Sequence, residues 1–423
     1  MKSIFGSFSQ TAVSLAAFLS LALAFSSCSK ALIPASGTID PVHEPVSWKG
    51  AYTDLETLTA AGRASSVAIE PDYGNAATDA ALPPGLVDAI AGHSIALFGE
   101  RHYMLEHHRT ALALARELHG RGFRALAFEM DQAESYAIDD YVTGERDDLP
   151  TWAGYIEREI IAGFRAFNLT LPKSDRMHLV NFDMNHDPSL YSWALYDHAA
   201  FQTDSRISTL VGTYYDYSSV AYRDAVSAIG DSLAANERAY RASCGDLWYD
   251  RAVRLTKVEL ASWEARHTDS DLAREDIIVD NVEAYIAGWE TIIVMCGSAH
   301  AQKTAAYTNG DNGGAWLGVR LAAKYGGALW SGLFLPVSGS LPNEGNDSTC
   351  YKFDELQNAD DNDLVKIVSD SYPGMLVYLP FVIEPFLTNA IGLYSDVYVP
   401  AKTYNALILY PQVSSISFAT GHK

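Results

Sequence analysis

The chain has 423 residues, 48% of them hydrophobic, which is enough apolar material to bury a sizeable core. Asp and Glu number 52 against 30 Lys and Arg, and the formal net charge of -22 excludes nucleic acid as a partner and adhesion to anionic lipid by charge. Four cysteines with no Cys-x-x-Cys or Cys/His cluster exclude a structural zinc.

Residues 1–28 read as an export signal: Lys2 is the only early charge, and the long apolar stretch around Leu15 to Ala24 runs into Phe25-Ser26-Ser27-Cys28. The small residues ahead of Cys28 resemble a bacterial lipobox, in which that cysteine is lipidated and becomes the mature N-terminus. This predicts export and a lipid anchor on the periplasmic or cell-surface side of a bacterial membrane, with an ordinary cleaved signal or an uncleaved anchor as the alternative. Residues 29–50, rich in Ser, Pro and small residues without apolar period, predict a flexible tether. The body is then 51–423, an α/β domain with a helical insertion at about 189–267. The most apolar later stretch, Met375 to Leu393, is interrupted by Pro380, Glu384, Pro385 and Asn389 and does not read as a membrane span.

Along the body, 51–92 reads as a loose lead-in broken by Pro71, Pro83 and Pro84. A strand is predicted at about Ser94 to Phe98, a helix from Leu105 to Arg121, and a second strand from Ala125 to Phe128. A helix over Trp152 to Asn168 follows from Ile156, Ile160, Phe164 and Phe167 recurring at intervals of four and three. A third strand, His178 to Asp183, leads into the Tyr-, Trp- and Ala-rich insertion. Asp271 to Ile286 reads as a helix feeding the strand Thr291 to Cys296. A helix after Gly313, the apolar run Ala328 to Leu335, a polar loop at 338–363, and strands at Met375 to Leu379 and Ala406 to Tyr410 complete the chain. The fold class expected is α/β: a central, mostly parallel sheet with helices on both faces and a helical insertion capping the C-terminal edge of the sheet. Cys296 reads as a buried small hydrophobe, and export would permit a disulfide between Cys244 and Cys350.

Four apolar runs each end on a proton-handling residue: Glu100 and His102, Glu129, Asp183, and His300. Strand ends of an open α/β sheet converge on the ligand crevice, so this recurrence reads as an active site. In Gly99-Glu100-Arg101-His102, a glutamate can orient the imidazole that serves as a base near neutral pH. Structural hydrogen bonding at a strand end is the bland alternative for any one of them. Glu106-His107-His108 offers metal-ligand residue types, but adjacent helical histidines point about 100° apart and do not easily share a site. Asp360, Asp361 and Asp363 lack the glycine and distal glutamate of a calcium loop. Neither a Gly-x-Ser-x-Gly elbow nor a phosphate-binding loop occurs.

The order Leu97-Phe-Gly-Glu-Arg-His, Ala127-Phe-Glu-Met, Ala162-Gly-Phe-Arg-Ala-Phe-Asn, Val180-Asn-Phe-Asp-Met, Ala273-Arg-Glu-Asp and Ile292-Ile-Val-Met-Cys-Gly-Ser-Ala-His resembles the erythromycin esterase family. It is similar also to the wider group of haem-binding ChaN lipoproteins and the TraB and Tiki proteins. The resemblance implies a hydrolase of a small-molecule ester or lactone in which His102 activates water and Glu100 and Glu129 orient it. It also implies that Arg165 and Arg274 stabilise the oxyanion and that His300 donates a proton to the leaving group. Asp183 and His108 are the expected substrate-binding residues, and no cofactor is needed. Gly-Glu-Arg-His and Gly-Ser-Ala-His look more like ChaN or Tiki than like the esterases. The alternatives implied are therefore a haem- or iron-binding uptake lipoprotein and a protease using a divalent metal.

Overall fold

The computed structural model describes residues 54–73, 80–154, 158–212, 216–304, 316–343, 346–354, 363–389, 391–393 and 396–414. The expected signal, Cys28 and the tether therefore lie outside the described residues.

Eight strands form one sheet: β1 (Val67–Ile69), β2 (Ile95–Glu100), β3 (Ala125–Asp131), β4 (His178–Asp183), β5 (Ile292–Gly297), β6 (Leu329–Pro336), β7 (Leu376–Pro380) and β8 (Ala406–Tyr410). Their order is β1-β7-β8-β6-β2-β5-β3-β4. From β8 to β4 every pairing is parallel, and β7 runs antiparallel to both of its neighbours. All six residues of β2 and of β5 are buried, as the continuous apolar runs require for central parallel strands covered on both faces.

Helices α1 (Leu55–Ser65), α2 (Leu86–Ala91), α3 (Leu105–His119), α4 (Ser135–Thr143) and α5 (Arg158–Asn168) precede the insertion. The insertion comprises α6 (Pro188–Tyr196), α7 (Ala199–Gln202), α8 (Ser205–Gly212), α9 (Val220–Ala235) and α10 (Glu237–Thr268). After it come α11 (Asp271–Trp289), α12 (Leu317–Tyr325), α13 (Leu364–Ser371) and α14 (Pro400–Thr403). Strand alternation splits the core between the two faces. Ile95 and Leu97 pack with Ile278, Val282, Leu317 and Leu364 of α11, α12 and α13. Ala96 and Phe98 pack with Leu112, Ala115, Ile138 and Phe164 of α3, α4 and α5.

The insertion has its own apolar cluster around Tyr191, Phe201, Tyr222 and Leu255, which takes in Ala133 just past β3. Arg251 of α10 clasps it to the sheet body by two 2.7 Å bonds to the Asp140 carboxylate of α4. The guanidinium also lies over the rings of Tyr136 and Trp248. Within α10 the backbone breaks at Gly245, whose φ of 80° suits glycine.

Two expectations need correction. The lead-in is not loose: α1 packs on the body and β1 pairs with β7, with Ala68 opposite Val377. The polar stretch at 338–363 is not a loop throughout, because Ser338–Asn343 and Asn346–Asp354 form an antiparallel ribbon. Cys296 is buried, Cys244 is a free thiol bonded to the Tyr240 carbonyl, and the side chain of Cys350 lies outside the described set. Among the described residues no helix is long and apolar enough to cross a membrane.

Candidate functional site

At the C-terminal edge of the sheet, Glu100 ends β2 with only 4% of its surface exposed. Tyr103, in the left-handed region at φ 67°, then turns the chain into α3. One carboxylate oxygen of Glu100 lies 3.3 Å from His102 Nδ1. The other lies 3.7 Å from His107 Nδ1 and 3.8 Å from His108 Nε2. Adjacent helical histidines thus do meet on one carboxylate, because one offers its near nitrogen and the other its far one. Burial pushes the Glu100 carboxyl up, but the hydrogen bond from His102 and the nearby rings of His107 and His108 outweigh it and hold the group at about 2. An ionised Glu100 accepts a hydrogen bond from His102 Nδ1–H, which leaves Nε2 as the basic nitrogen.

Glu129 is aimed by an irregularity in β3. Between Phe128, opposite Asn181, and Asp131, opposite Asp183, β3 carries one more residue than β4. Such a bulge redirects a side chain. Glu129 accepts Arg274 Nη2 at 2.5 Å and the Gly297 N–H at 2.6 Å, and it lies 3.2 Å from His300 Nε2. Burial raises this carboxyl, yet the charge and hydrogen bond of His300 and the charge of Arg274 carry it well below its ordinary range. Arg274, on the first turn of α11, reaches Asp183 by bonds of 3.0 and 2.6 Å. His300 Nδ1 lies 2.6 Å from Glu275 Oε1, while Glu275 Oε2 accepts the Leu317 N–H at the start of α12. The His300 ring is thus set between two buried carboxylates, one on each nitrogen.

Gly297 is the point on which these groups converge. A Cβ there would stand 3.3 Å from His102 Nε2, 3.4 Å from the His300 ring and 3.6 Å from a Glu129 oxygen. Glycine therefore lets two histidines and a carboxylate approach one another. Of the four side chains, His102 is the most open to solvent, at 22% against 6% for Glu100, 4% for His300 and 3% for Glu129.

Sequence reasoning singled out Glu100, His102, Glu129, Asp183, Arg274 and His300, and the fold brings them to one edge. His108 is there too, but against Glu100 and edge-on to Phe128, in a buried position behind the site. Arg165 is a correction. It donates to the carbonyls of Tyr141 and Arg146 and lies 4.3 Å over the Tyr141 ring, so it caps the C-terminal end of α4, where carbonyls attract a cation. Residues that sequence reading missed are Glu275, Gly297 and His186, the last 2.9 Å from Asp183, while His107 was weighed there only as a metal ligand.

Beside Asp183 lies a second buried acidic group. Asp131 accepts the N–H groups of His186 and Asp187, and burial raises it to about 6 against the opposing charge of His186. Glu134 accepts the Gly154 N–H, and burial followed by the charge of Asp131 pushes it up to about 8.

Among the described residues no group of three or more His, Cys, Asp and Glu side chains is arranged to hold a metal ion. The cation between Glu129 and Asp183 is the Arg274 guanidinium.

No family model matches the chain, and no curated protein matches it in sequence. Its fold is shared with solved structures. A Bacillus cereus protein aligns over 87% of this chain and all of its own, with 13% identity and a TM-score of 0.64. A protein described as a succinoglycan biosynthesis protein covers the same shares, with 10% identity and a TM-score of 0.63. A mutant of erythromycin esterase EreC in its open conformation has 13% identity and a TM-score of 0.55, covering 78% of this chain and 93% of that one. At these identities the likeness is one of fold.

Proposed function

We propose that the chain is a hydrolase of an ester or lactone, related to the erythromycin esterases, that activates water with His102. The observation that carries this reading is the pairing of His102 Nδ1 with an ionised Glu100, in a partly solvent-open position beside the convergence at Gly297. His102 Nε2 takes a proton from water, the oxygen attacks the carbonyl carbon, and the carbonyl oxygen gains the negative charge. Arg274 and the imidazolium of His300 supply the nearby positive charge, a contribution typically worth about 10²- to 10³-fold in rate. Collapse breaks the bond to the leaving oxygen, which takes the Nε2 proton that His300 otherwise directs at Glu129; the proton on His102 then passes to solvent and His300 takes one back, so both rings return to their starting state. Glu129 and Glu275 fix His300, and Asp183 and Glu129 fix Arg274. The shared fold with an esterase is consistent with this chemistry without establishing it. Lipid anchoring at Cys28 belongs to the same proposal and rests on the sequence of the first 28 residues.

The test is a panel of p-nitrophenyl esters and aromatic lactones. His102→Ala and His300→Ala are expected to lose turnover with the circular dichroism unchanged. Full activity in both variants refutes the assignment.

A further inference from the structure

A cleft of about 670 Å³ opens at the same edge of the sheet over the ends of β6 and β8 and the approach to β7. That size suits a small organic ligand. Tyr73 beyond β1, Glu106 on the first turn of α3, and Asp370 at the end of α13 line it, with Pro71, Pro373 and Pro411 around them. It is separate from the Gly297 site but close in sequence, because Glu106 directly precedes the two histidines that hold Glu100.

Its wall carries two carboxylates, and its side-chain donors are the neutral groups of Tyr73, Ser369, Gln412 and Ser414. The three prolines have no N–H, and no Lys, Arg or His is among the described lining residues. Glu106 is buried to 6% exposure, and its Oε2 accepts one backbone N–H, from Ser414 at 2.6 Å. Asp370 is exposed and bonds Lys366 on its own helix, so Glu106 is the more shielded charge. The Tyr73 hydroxyl is occluded with no hydrogen-bond partner among the described residues, while its ring stacks on Tyr410. Burial, then the charge of Glu106, pushes the ionisation of Tyr73 up, so the wall presents a neutral phenol beside a carboxylate.

An anion finds only like charge here. A bare metal ion finds two carboxylates, one of them already paired. An organic ammonium finds a carboxylate and an aromatic side chain, two partners such a group uses. We propose that this cleft binds the ammonium group of a small amine-bearing ligand, with Glu106 as its counter-ion and Tyr73 as its aromatic wall. The proposal stands apart from the hydrolase reading, and failure of one leaves the other in place.

The probe is n-butylammonium chloride, titrated into the purified full chain at constant ionic strength and followed by saturation-transfer NMR, with n-butanol and sodium butyrate as comparators. Saturable binding of the ammonium in roughly the millimolar range is expected, as suits so small a ligand, with neither comparator matching it. Glu106→Gln should weaken it about tenfold, as loss of a charge-assisted bond does. Asp370→Asn, on an exposed position that does not endanger folding, should weaken it about threefold. Glu117→Gln, elsewhere on α3, should leave it unchanged. Non-saturating binding, equal binding of butanol or butyrate, or an unchanged affinity in Asp370→Asn overturns the proposal. So does an unchanged affinity in a folded Glu106→Gln.

Discussion

Gly297 and His300 set the tolerances at the scale of single residues. A methyl group on Gly297 would press on His102 Nε2 at 3.3 Å, so Gly297→Ala should cut ester turnover at least about tenfold, as small misplacements of catalytic groups do. Its thermal midpoint should stay near that of the parent, and unaltered turnover would remove Gly297 from the account. Glu275→Gln leaves His300 Nδ1 without its anionic partner and should lower kcat by roughly 10- to 100-fold, with KM changed little. Arg165→Ala should leave kcat intact and cost about 0.5–1 kcal/mol in stability through loss of the α4 cap. These residues show what the sequence could and could not reveal. Glu100, Glu129, Asp183 and His300 were legible because each ends an apolar run. Glu275 was not, because in Ala273-Arg-Glu-Asp it looks like one more charge on a solvated helix, and only the docking of α11 against the turn after β5 buries it to 1%. Arg165 misled for the converse reason. A lone arginine beside an apolar stripe looks the same whether it faces a substrate or a helix terminus.

At the scale of elements, the site depends on β2 being held on both faces. Phe98 lies 5.2 Å from the Trp330 ring and 4.8 Å from that of Phe334, under α3. Phe98→Ala should destabilise the fold by about 3–5 kcal/mol in a denaturant titration, and a loss below about 1 kcal/mol would mean the core collapses around the gap. The inner strands β2, β5 and β8 were readable since each is built on a continuous apolar run. β1 was not, because Val67-Ala68-Ile69 is too short to show a period and is made a strand by pairing with β7. The ribbon of Ser338–Asn343 and Asn346–Asp354 escaped likewise, because Ser, Gly, Pro, Asn and Asp dominate its first strand and the start of its second. The irregularity in β3 has no sequence signature either, yet it aims Glu129 at Arg274 and Gly297.

For the whole molecule, buried carboxyls of opposite sense predict a stability maximum in mildly acidic solution. Glu134 is raised from an ordinary 4.5 to about 8, so in the folded state it holds a proton that the unfolded chain releases earlier. Its stabilising contribution is complete below the ordinary carboxyl range and is lost as pH rises toward 8. Glu100, held at about 2, acts in the other direction: its contribution is present above the ordinary range and is lost as pH falls toward 2. Glu134→Gln should therefore raise the melting temperature at pH 9 by roughly 2–4 °C relative to the parent and have little effect at pH 5. Equal effects at both values would show that Glu134 ionises normally. The insertion adds a second requirement at this scale, since its attachment through Arg251 and Asp140 lies on the helix that follows the β3 end carrying Glu129.

The most direct measurement is kcat/KM for p-nitrophenyl butyrate and the wider ester and lactone panel, made on the parent and on His102→Ala under identical conditions. The account predicts measurable turnover of at least one ester by the parent and a loss of about 10³-fold or more in the variant, both proteins remaining folded. Equal rates in the two, or a folded parent that turns over no ester or lactone, would contradict it.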